Sequence, residues 1–206
     1  MHNGSFEIML HRRILHDDRL GVGEPLNETA FGTGLVARGK HFLLLDSPNS
    51  SARLHRPIAQ QLFMHPLTTY SLTSLSFANY SASYHQIWSA LSKDLPINVH
   101  LLTFDQLNTS QYLIRVEHYF EKNEDEIYSQ AVTFDLANLF EREGKISEIT
   151  EMALGGNLVL SDMKRLQWTT ENGETSNIDV IEKVSVSNTT ITLNPMQIRT
   201  FRVTIS

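Results

Sequence analysis

The sequence predicts an all-β protein, an antiparallel β-sandwich with one or two short helices. Short apolar stretches recur along the 206 residues with turn-forming residues between them, which is the usual spacing of sandwich strands. In several stretches apolar and polar residues alternate, as they do in a strand with one buried face. Because 41% of the residues are hydrophobic, the chain can form a sizeable core, as one large domain or two small ones.

The first predicted strand covers residues 6–14, where every second residue is apolar until Arg12 interrupts the row. A guanidinium within an apolar row needs a partner, and Asp17 and Asp18 follow closely in the chain. The glycine-rich segment 21–23 then permits the positive backbone angles of a sharp turn. From the residues alone, the simplest interpretation is an Arg–Asp pair that braces a hairpin.

Three further elements are predicted in the first half of the chain. Residues 35–45 alternate and then become apolar on both faces, which indicates a long strand. A short helix is predicted from about Pro57, a residue favoured at the first helical position, with Ile58 and Leu62 one turn apart. Residues 65–92 are rich in Ser, Thr and Tyr without a clean period, so we expect an irregular connection there.

A domain boundary is predicted near residues 92–96, where Lys93, Asp94 and Pro96 interrupt the pattern. A helical turn is predicted near 137–142. The strands predicted beyond the boundary are 98–104, 111–121, 131–136, 146–154, 164–169, 180–186 and 190–205. In the last strand, Phe201, Val203 and Ile205 are predicted to face inward and Thr200, Arg202 and Thr204 outward.

The charge of the chain argues against several partner classes. Its formal net charge is -6 and it contains no basic run, whereas a phosphate-rich partner such as nucleic acid needs clustered Lys and Arg. No apolar stretch approaches the roughly 20 residues of a membrane-spanning helix. We therefore expect a soluble protein with neither nucleic acid nor membrane as partner.

Glycosylation signals indicate the secretory route. Six of the 13 asparagines begin an N-x-S/T sequon, where chance gives about two. They are Asn3, Asn27, Asn49, Asn79, Asn108 and Asn188, and we predict glycosylation at the last five. The absence of cysteine is neutral in a chain that is large enough to form a core without disulfides. No signal peptide precedes the first predicted strand, so we expect a fragment of a longer secretory protein.

The residues contain no recognisable catalytic or metal-binding constellation. The nine histidines include no H-E-x-x-H motif and Cys ligands are absent, so no metal site is expected in this chain. His11 and His16 lie on a strand and a turn and should point in different directions. His118 falls on an apolar strand face, which is typical of a core histidine. The sequence contains no G-x-S-x-G motif, which is typical of enzymes with a nucleophilic serine.

Paired catalytic carboxylates are not evident either. Two carboxyl groups that act together in hydrolysis lie about 5–9 Å apart. Asp17 and Asp18 are adjacent, so their side chains diverge on extended backbone. The acidic run at a strand end, Glu121, Glu124, Asp125 and Glu126, is typical of a solvated turn. No self-contained active site is therefore predicted.

Several segments resemble one enzyme family. In residues 7–26, the residues that match the sequence motif of this family are Glu7, Met9, His11, Arg12, Arg13, Leu15, Asp17, Asp18, Gly21, Val22, Glu24, Pro25 and Leu26. Further matching segments are ARGKHFLLLD (37–46), INVHLLTF (97–104), LIRVEHYF (113–120), VTFDLANLF (132–140), RLQW (165–168) and ITLNPMQIRTF (191–201). Together they resemble the C-terminal β-region of glycoside hydrolase family 38, specifically its lysosomal-type acid α-mannosidases. One departure is Leu20, where the family carries an arginine directly before the first glycine; here Arg19 stands one place early.

The resemblance implies a supporting role within a larger enzyme. Residues 1–95 would end a central β-super-sandwich, and 96–206 would form a C-terminal β-sandwich subdomain. The enzyme would hydrolyse terminal α-D-mannosyl residues of N-glycans with retention, using a carboxylate nucleophile and a zinc ion whose ligands lie outside this chain. The chain would pack against the N-terminal catalytic portion, be inactive alone, and be lysosomal or secreted. The candidate residues at the edge of the substrate pocket are Arg12, Asp17, Asp18 and Arg19.

Two alternatives stay open. A non-catalytic carbohydrate-binding β-sandwich would use exposed aromatic rings, for which Tyr70, Tyr80, Tyr84 and Trp88 are candidates, although such residues more often pack as lids. A purely structural interaction domain is the other alternative. Glycan binding by the chain would favour the first of these two.

Overall fold

The chain forms two compact units, Met1–Leu43 and Leu44–Ser206. The computed structural model describes residues 4–89, 91–140, 142, 144–164, 168–173 and 184–206. The division between the two compact units falls after Leu43. The assignment of 1–95 and 96–206 to two parts of an enzyme stays a prediction.

Antiparallel strands dominate the described secondary structure, in agreement with the all-β prediction. The strands are β1 (Thr29–Ala30), β2 (Thr33–Gly34), β3 (Val99–Gln106), β4 (Gln111–His118), β5 (Val132–Asp135), β6 (Ile146–Met152), β7 (Thr190–Leu193) and β8 (Ile198–Ile205). The helices are α1 (Ala52–Phe63) and α2 (Phe77–Ser83), with 3-10 turns at Leu136–Leu139 and Leu160–Asp162.

The second unit contains two sheets around one apolar core. The larger sheet has the order β3-β4-β8-β6, and β5 pairs with β7 in a two-stranded sheet. Residues from both sheets form a single buried cluster that includes Ile114, Val116, Leu136, Phe140, Ile191, Leu193, Phe201 and Val203. Since β8 pairs with β4 on one side and β6 on the other, it is, with β4, a central strand of the larger sheet.

The alternation predicted for the last strand is confirmed on its inner face. Phe201 and Val203 are fully buried and Ile205 is 8% exposed. Thr200 departs from the prediction because it is only 1% exposed on the opposite face. Its hydroxyl donates to the carbonyl of Leu154 (3.4 Å), and the turn that carries this carbonyl covers it.

The predicted strand 190–205 is divided between the two sheets. A turn at 194–197 separates β7 from β8, and within it the N–H of Gln197 donates to the carbonyl of Asn194 (3.0 Å). Pro195 has no N–H with which to continue a ladder, and Met196 has a left-handed φ of 66°. The apolar alternation of residues 191–193 resumes in the same register at 201–205, so the two segments were assigned to one strand.

Two of the predicted strands do not form. Residues 6–14 and 35–45 belong to no sheet, and the described part of the first unit contains only the short β1–β2 hairpin. Apolar side chains such as Ile8 (58% exposed) and Leu43 (81% exposed) stay open to solvent. Alternation marks a strand only where another strand completes the hydrogen-bond ladder, and no described residue supplies one here.

The helices also differ in part from the prediction. α1 begins at Ala52, five positions before Pro57, because a turn at residues 47–51 leads directly into it. α2 lies within the stretch 65–92 that was expected to be irregular; its cap, Ser76, accepts the N–H of Asn79 (3.3 Å). No helix in the described ranges combines the length and apolar character required to cross a membrane.

Of the remaining predicted elements, one is present and two can be compared with the structure only in part. The helical turn expected near 137–142 is present as the 3-10 turn at Leu136–Leu139. The predicted strands 164–169 and 180–186 lie mostly outside the described residues.

A buried ion pair links the two sheets. Arg199, 3% exposed, lies on the inner face of β8 and donates to both carboxylate oxygens of Glu151 on β6 (2.8 and 2.7 Å). Its third contact is the carbonyl of Thr192 on β7 (3.3 Å), and its guanidinium carbon lies 5.2 Å from the centre of the Phe201 ring. The side chain of Arg199 therefore joins β8 to β6 within one sheet and to β7 in the other sheet.

Removing one partner of this pair should be costly. We expect Glu151→Gln to lower the free energy of unfolding by about 3–5 kcal/mol, because the buried Arg199 charge loses its counter-charge. Chemical denaturation measures this loss. The matched control is Glu148→Gln on the same strand, which is exposed and should change stability by less than about 0.5 kcal/mol. Equal effects of the two variants would contradict this role of the pair.

Candidate functional site

Three of the four candidate pocket-edge residues, Asp17, Asp18 and Arg19, lie in a closed loop of the first unit, and Arg12 lies just before it. The N–H of Ile14 donates to the carbonyl of Leu26 (3.0 Å), which brings the two ends of the loop together. Within the loop, the carboxylates of Asp17 and Asp18 accept the N–H groups of Arg19 (3.0 Å) and Leu20 (2.9 Å). Both aspartates thus act as local turn residues, as short acidic side chains often do.

The predicted pairing of Arg12 with these aspartates is wrong. Arg12 is exposed and forms no ion pair with any described residue, because the two carboxylates already serve the backbone of the turn. The bracing arginine is its neighbour Arg13, which donates to the side chain of Asn27. Arg13 also lies across Gly34, where an added Cβ would be 2.5 Å from its Nη1 atom.

The loop therefore leaves two guanidinium groups exposed at its surface. Arg12 stands at one end of the loop, and Arg19, held by a left-handed backbone with φ 61°, stands at its turn. Leu20, the departure from the family pattern, is 88% exposed beside it. Whether Arg19 replaces the family arginine at the position of Leu20 stays a prediction.

The aromatic candidates for sugar stacking are exposed rather than packed as lids. Tyr70 is 93%, Trp88 64% and Tyr84 56% exposed. Tyr80 stacks on Tyr84 one turn along α2, with ring centres 4.7 Å apart and planes inclined by 25°. Tyr70 and Trp88 lie before and after α2, in segments that form neither helix nor strand.

The acidic run 121–126 is not a simple solvated turn, contrary to the prediction. Asp125 is 2% exposed and accepts the N–H groups of Ile127 and Tyr128 (both 2.9 Å), and Arg53 of α1 donates to its other oxygen (2.9 Å). Arg56, one turn further along α1, binds Glu124 through both carboxylate oxygens.

Arg56 extends this contact in two further directions. It lies 3.1 Å from the carboxylate of Glu121 and donates to the backbone carbonyl of Tyr119 (2.9 Å). We call the set of Arg53, Arg56, Glu121, Glu124 and Asp125 the helix clamp. The sequence carried a signal for it: two arginines three residues apart in a helix with no acidic residue of its own, and an acidic run elsewhere.

The helix clamp lowers the pKa of its central carboxylates. For Asp125 the backbone N–H of Tyr128 has the largest effect on the pKa, and it outweighs burial, which acts in the opposite direction. Partial burial also raises the pKa of Glu124, but the hydrogen bonds from Arg56 and from the Glu121 N–H, with the charges of Arg56 and His55, bring it below its usual value. Both groups thus favour their charged form in the folded chain.

His118 is a core residue, as predicted. It is 1% exposed; its Nε2 donates to the carbonyl of Gln130 (2.9 Å), and its Nδ1 accepts the N–H of Phe120 (3.3 Å). His100 on β3 contacts Glu117 across the sheet (2.7 Å), which is an ordinary cross-strand pair. In the described ranges no group of three or more His, Cys, Asp or Glu side chains is placed to hold a metal ion.

The predicted glycosylation sites are mostly on the surface. Asn49, Asn79, Asn108 and Asn188 are exposed, and Asn27 is partly covered by Arg13. Asn108 also holds the β3–β4 turn, because its Oδ1 accepts the N–H groups of the two residues at 110 and 111 (3.2 and 3.0 Å). Asn3 lies outside the described residues. Glycosylation of these asparagines stays a prediction.

The fold of the second unit defines the class of domain as an antiparallel β-sandwich. Both units carry exposed apolar side chains. In the acidic run 121–126, the carboxylates of Glu121, Glu124 and Asp125 are bound by arginines.

Comparison with known proteins places the chain in a family. The sequence model of the glycosyl hydrolases family 38 C-terminal beta sandwich domain matches residues 98–201. The chain is 38% identical to the lysosomal alpha-mannosidase of Bos taurus over 207 aligned residues, which cover 100% of this chain and 20% of the relative. It is 36% identical to that of Homo sapiens, with the same coverage, and 32% identical to an alpha-mannosidase of Canavalia ensiformis over 97% of this chain and 21% of the relative.

The chain therefore belongs to glycosyl hydrolase family 38, whose C-terminal β-sandwich domain it contains. It spans about a fifth of the length of the relatives it matches. The resemblance seen in the sequence is thus confirmed at the level of the family and the domain.

The helix clamp should make stability depend on pH below about 5. Because folding lowers the pKa of Glu124 and Asp125 from their usual 4.5 and 3.8, the clamp adds stability above those values and loses it as pH falls through the lowered ones. Urea unfolding from pH 6 to 3 should therefore show a smaller acid-dependent loss in Glu124→Gln/Asp125→Asn than in the natural chain. Glu126→Gln, an exposed neighbour, is the control and should leave the profile unchanged.

Proposed function

We propose that this chain is the C-terminal β-sandwich portion of an α-mannosidase that hydrolyses terminal α-D-mannosyl residues of N-glycans. The observation that carries the proposal is the alignment of the whole chain with α-mannosidases about five times its length. The described residues offer no independent alternative chemistry, since their clustered carboxylates are held by arginines. Its role is to support the catalytic portion of the same polypeptide.

Residues 10–24 are proposed to line one edge of the substrate pocket. Asp17 and Asp18 hold the turn through backbone hydrogen bonds, which fixes the loop without using the arginines. Arg12 and Arg19 then remain available to donate hydrogen bonds to sugar hydroxyl groups. In this arrangement Arg19 takes the part that the family assigns to an arginine at the position of Leu20.

The reacting groups belong to the rest of the enzyme in this proposal. The carboxylate nucleophile and the zinc ligands lie in the N-terminal catalytic portion, and a bound zinc ion would hold the sugar there. The location would be lysosomal or secreted, which the names of the relatives and the five predicted glycosylation sites support.

Arg12 provides the test of the pocket-edge role. In the full-length enzyme, Arg12→Ala should lower kcat/KM for an α-mannoside about tenfold to a hundredfold, the cost of one charged hydrogen bond of about 1.5–3 kcal/mol. Its thermal unfolding should not change, because Arg12 contacts no described residue through an ion pair.

Arg13→Ala is the matched control for this experiment. It removes the bond to Asn27 and should destabilise the loop, which lowers activity and thermal stability together. Loss of folded protein in Arg12→Ala, or unchanged kinetics, would contradict the pocket-edge role. The 206-residue chain alone should have no mannosidase activity.

A second candidate function is direct carbohydrate binding by the exposed aromatic residues between positions 70 and 88, which we call the aromatic surface. It is favoured by the exposure of Tyr70, Tyr84 and Trp88, whose ring faces could stack on sugars. If this is correct, the chain alone should bind mannose-containing glycans on an array, and Trp88→Ala should weaken that binding. Phe63→Ala, a similarly exposed ring outside this surface, should leave binding unchanged. Absence of glycan binding would leave the supporting role as the function.

A further inference from the structure

Helix α1 contacts the rest of the second unit through its charged side. Its buried and half-buried positions are Ala52, Arg53, Arg56, Pro57 and Gln60. At about 100° per residue these positions share one side of the helix. Two of them are the arginines of the helix clamp, so ionic hydrogen bonds to the loop 121–125 hold this side of α1.

The opposite side of α1 is apolar and exposed. Leu54, Ile58 and Leu62 are spaced four residues apart and are 46%, 40% and 45% exposed. Counted at about 100° per residue, this apolar stripe is centred opposite the clamped side. A helix on a protein surface normally buries its apolar stripe and exposes its charges, and α1 does the reverse.

The helix clamp is what maintains this reversed orientation. Rotating α1 to bury the apolar stripe would remove Arg53 from the buried Asp125 and Arg56 from Glu124. An unpaired buried carboxylate is costly, so the exposed stripe is stable while the clamp is intact. The stripe is thus held outward on an anchored helix.

We propose that the apolar stripe of α1 is a docking surface for an apolar patch on the remaining part of the α-mannosidase polypeptide. This inference rests on the proposed function, since it requires that the chain be part of that longer enzyme. The relatives align along this whole chain, α1 included, yet four fifths of their length lies outside the match, so a large intramolecular partner is available. The partner patch is predominantly apolar, because the stripe has no charged group at its centre.

Cysteine labelling can test the proposal, because the chain contains no natural cysteine. In the full-length enzyme, Ile58→Cys should react with a maleimide at least about tenfold more slowly than Glu126→Cys, an exposed control, with both rates read by peptide mass spectrometry. In the 206-residue chain alone, the two cysteines should react at similar rates. Protection that appears only in the longer protein identifies the remaining polypeptide as the occupant.

Other outcomes would overturn the proposal. Equal rates at positions 58 and 126 in the full-length enzyme would show an open stripe. Protection of position 58 in the 206-residue chain would point to a second copy if it increases with protein concentration, and to this chain itself if it does not. A mannosidase assay on the same samples separates the two proposals: activity with an open stripe refutes only the docking, and protection without activity refutes only the enzymatic function.

Discussion

The second unit depends on the buried ion pair between Arg199 and Glu151. The central strand β8 places a permanent positive charge in the core, where it must be neutralised and fully hydrogen-bonded to be tolerated. The bidentate bond to β6 and the bond to a β7 carbonyl meet this requirement only when both sheets are correctly placed. The apolar cluster around Phe201 supplies the driving force for folding, and the arginine specifies how the layers align.

Charge serves three separate purposes in this chain. In the core it aligns the sheets through Arg199. In the helix clamp it attaches α1 to the loop 121–125, and folding lowers the pKa of Glu124 and Asp125. In the loop of the first unit, backbone N–H groups occupy the aspartates, and Arg12 remains exposed. The arginines that stabilise the fold and those proposed to contact substrate are therefore different residues.

The chemistry of the residues predicted only part of the candidate site. The sequence correctly singled out the segment around Asp17 and Asp18 as unusual, and the closed loop found there agrees with a turn. It assigned the wrong arginine to the bracing role, because Arg12 and Arg13 differ by one position and only the backbone path shows which reaches Asn27. The helix clamp was missed because Arg56 and Glu124 are 68 residues apart: the sequence shows two arginines on a helix and an acidic run elsewhere, but not that they meet.

The sequence by itself determined the family, the all-β class and the inward register of β8, because these follow from local patterns of residue type. Alternation of apolar and polar residues predicts which face of a strand is buried, and sequence motifs identify the protein family. Tertiary structure alone decided which alternating segments become strands, since residues 6–14 have no ladder partner among the described residues while 198–205 lie between two. It also decided the orientation of α1: the helical period predicts an apolar face, but ion pairs with a distant loop turn that face outward.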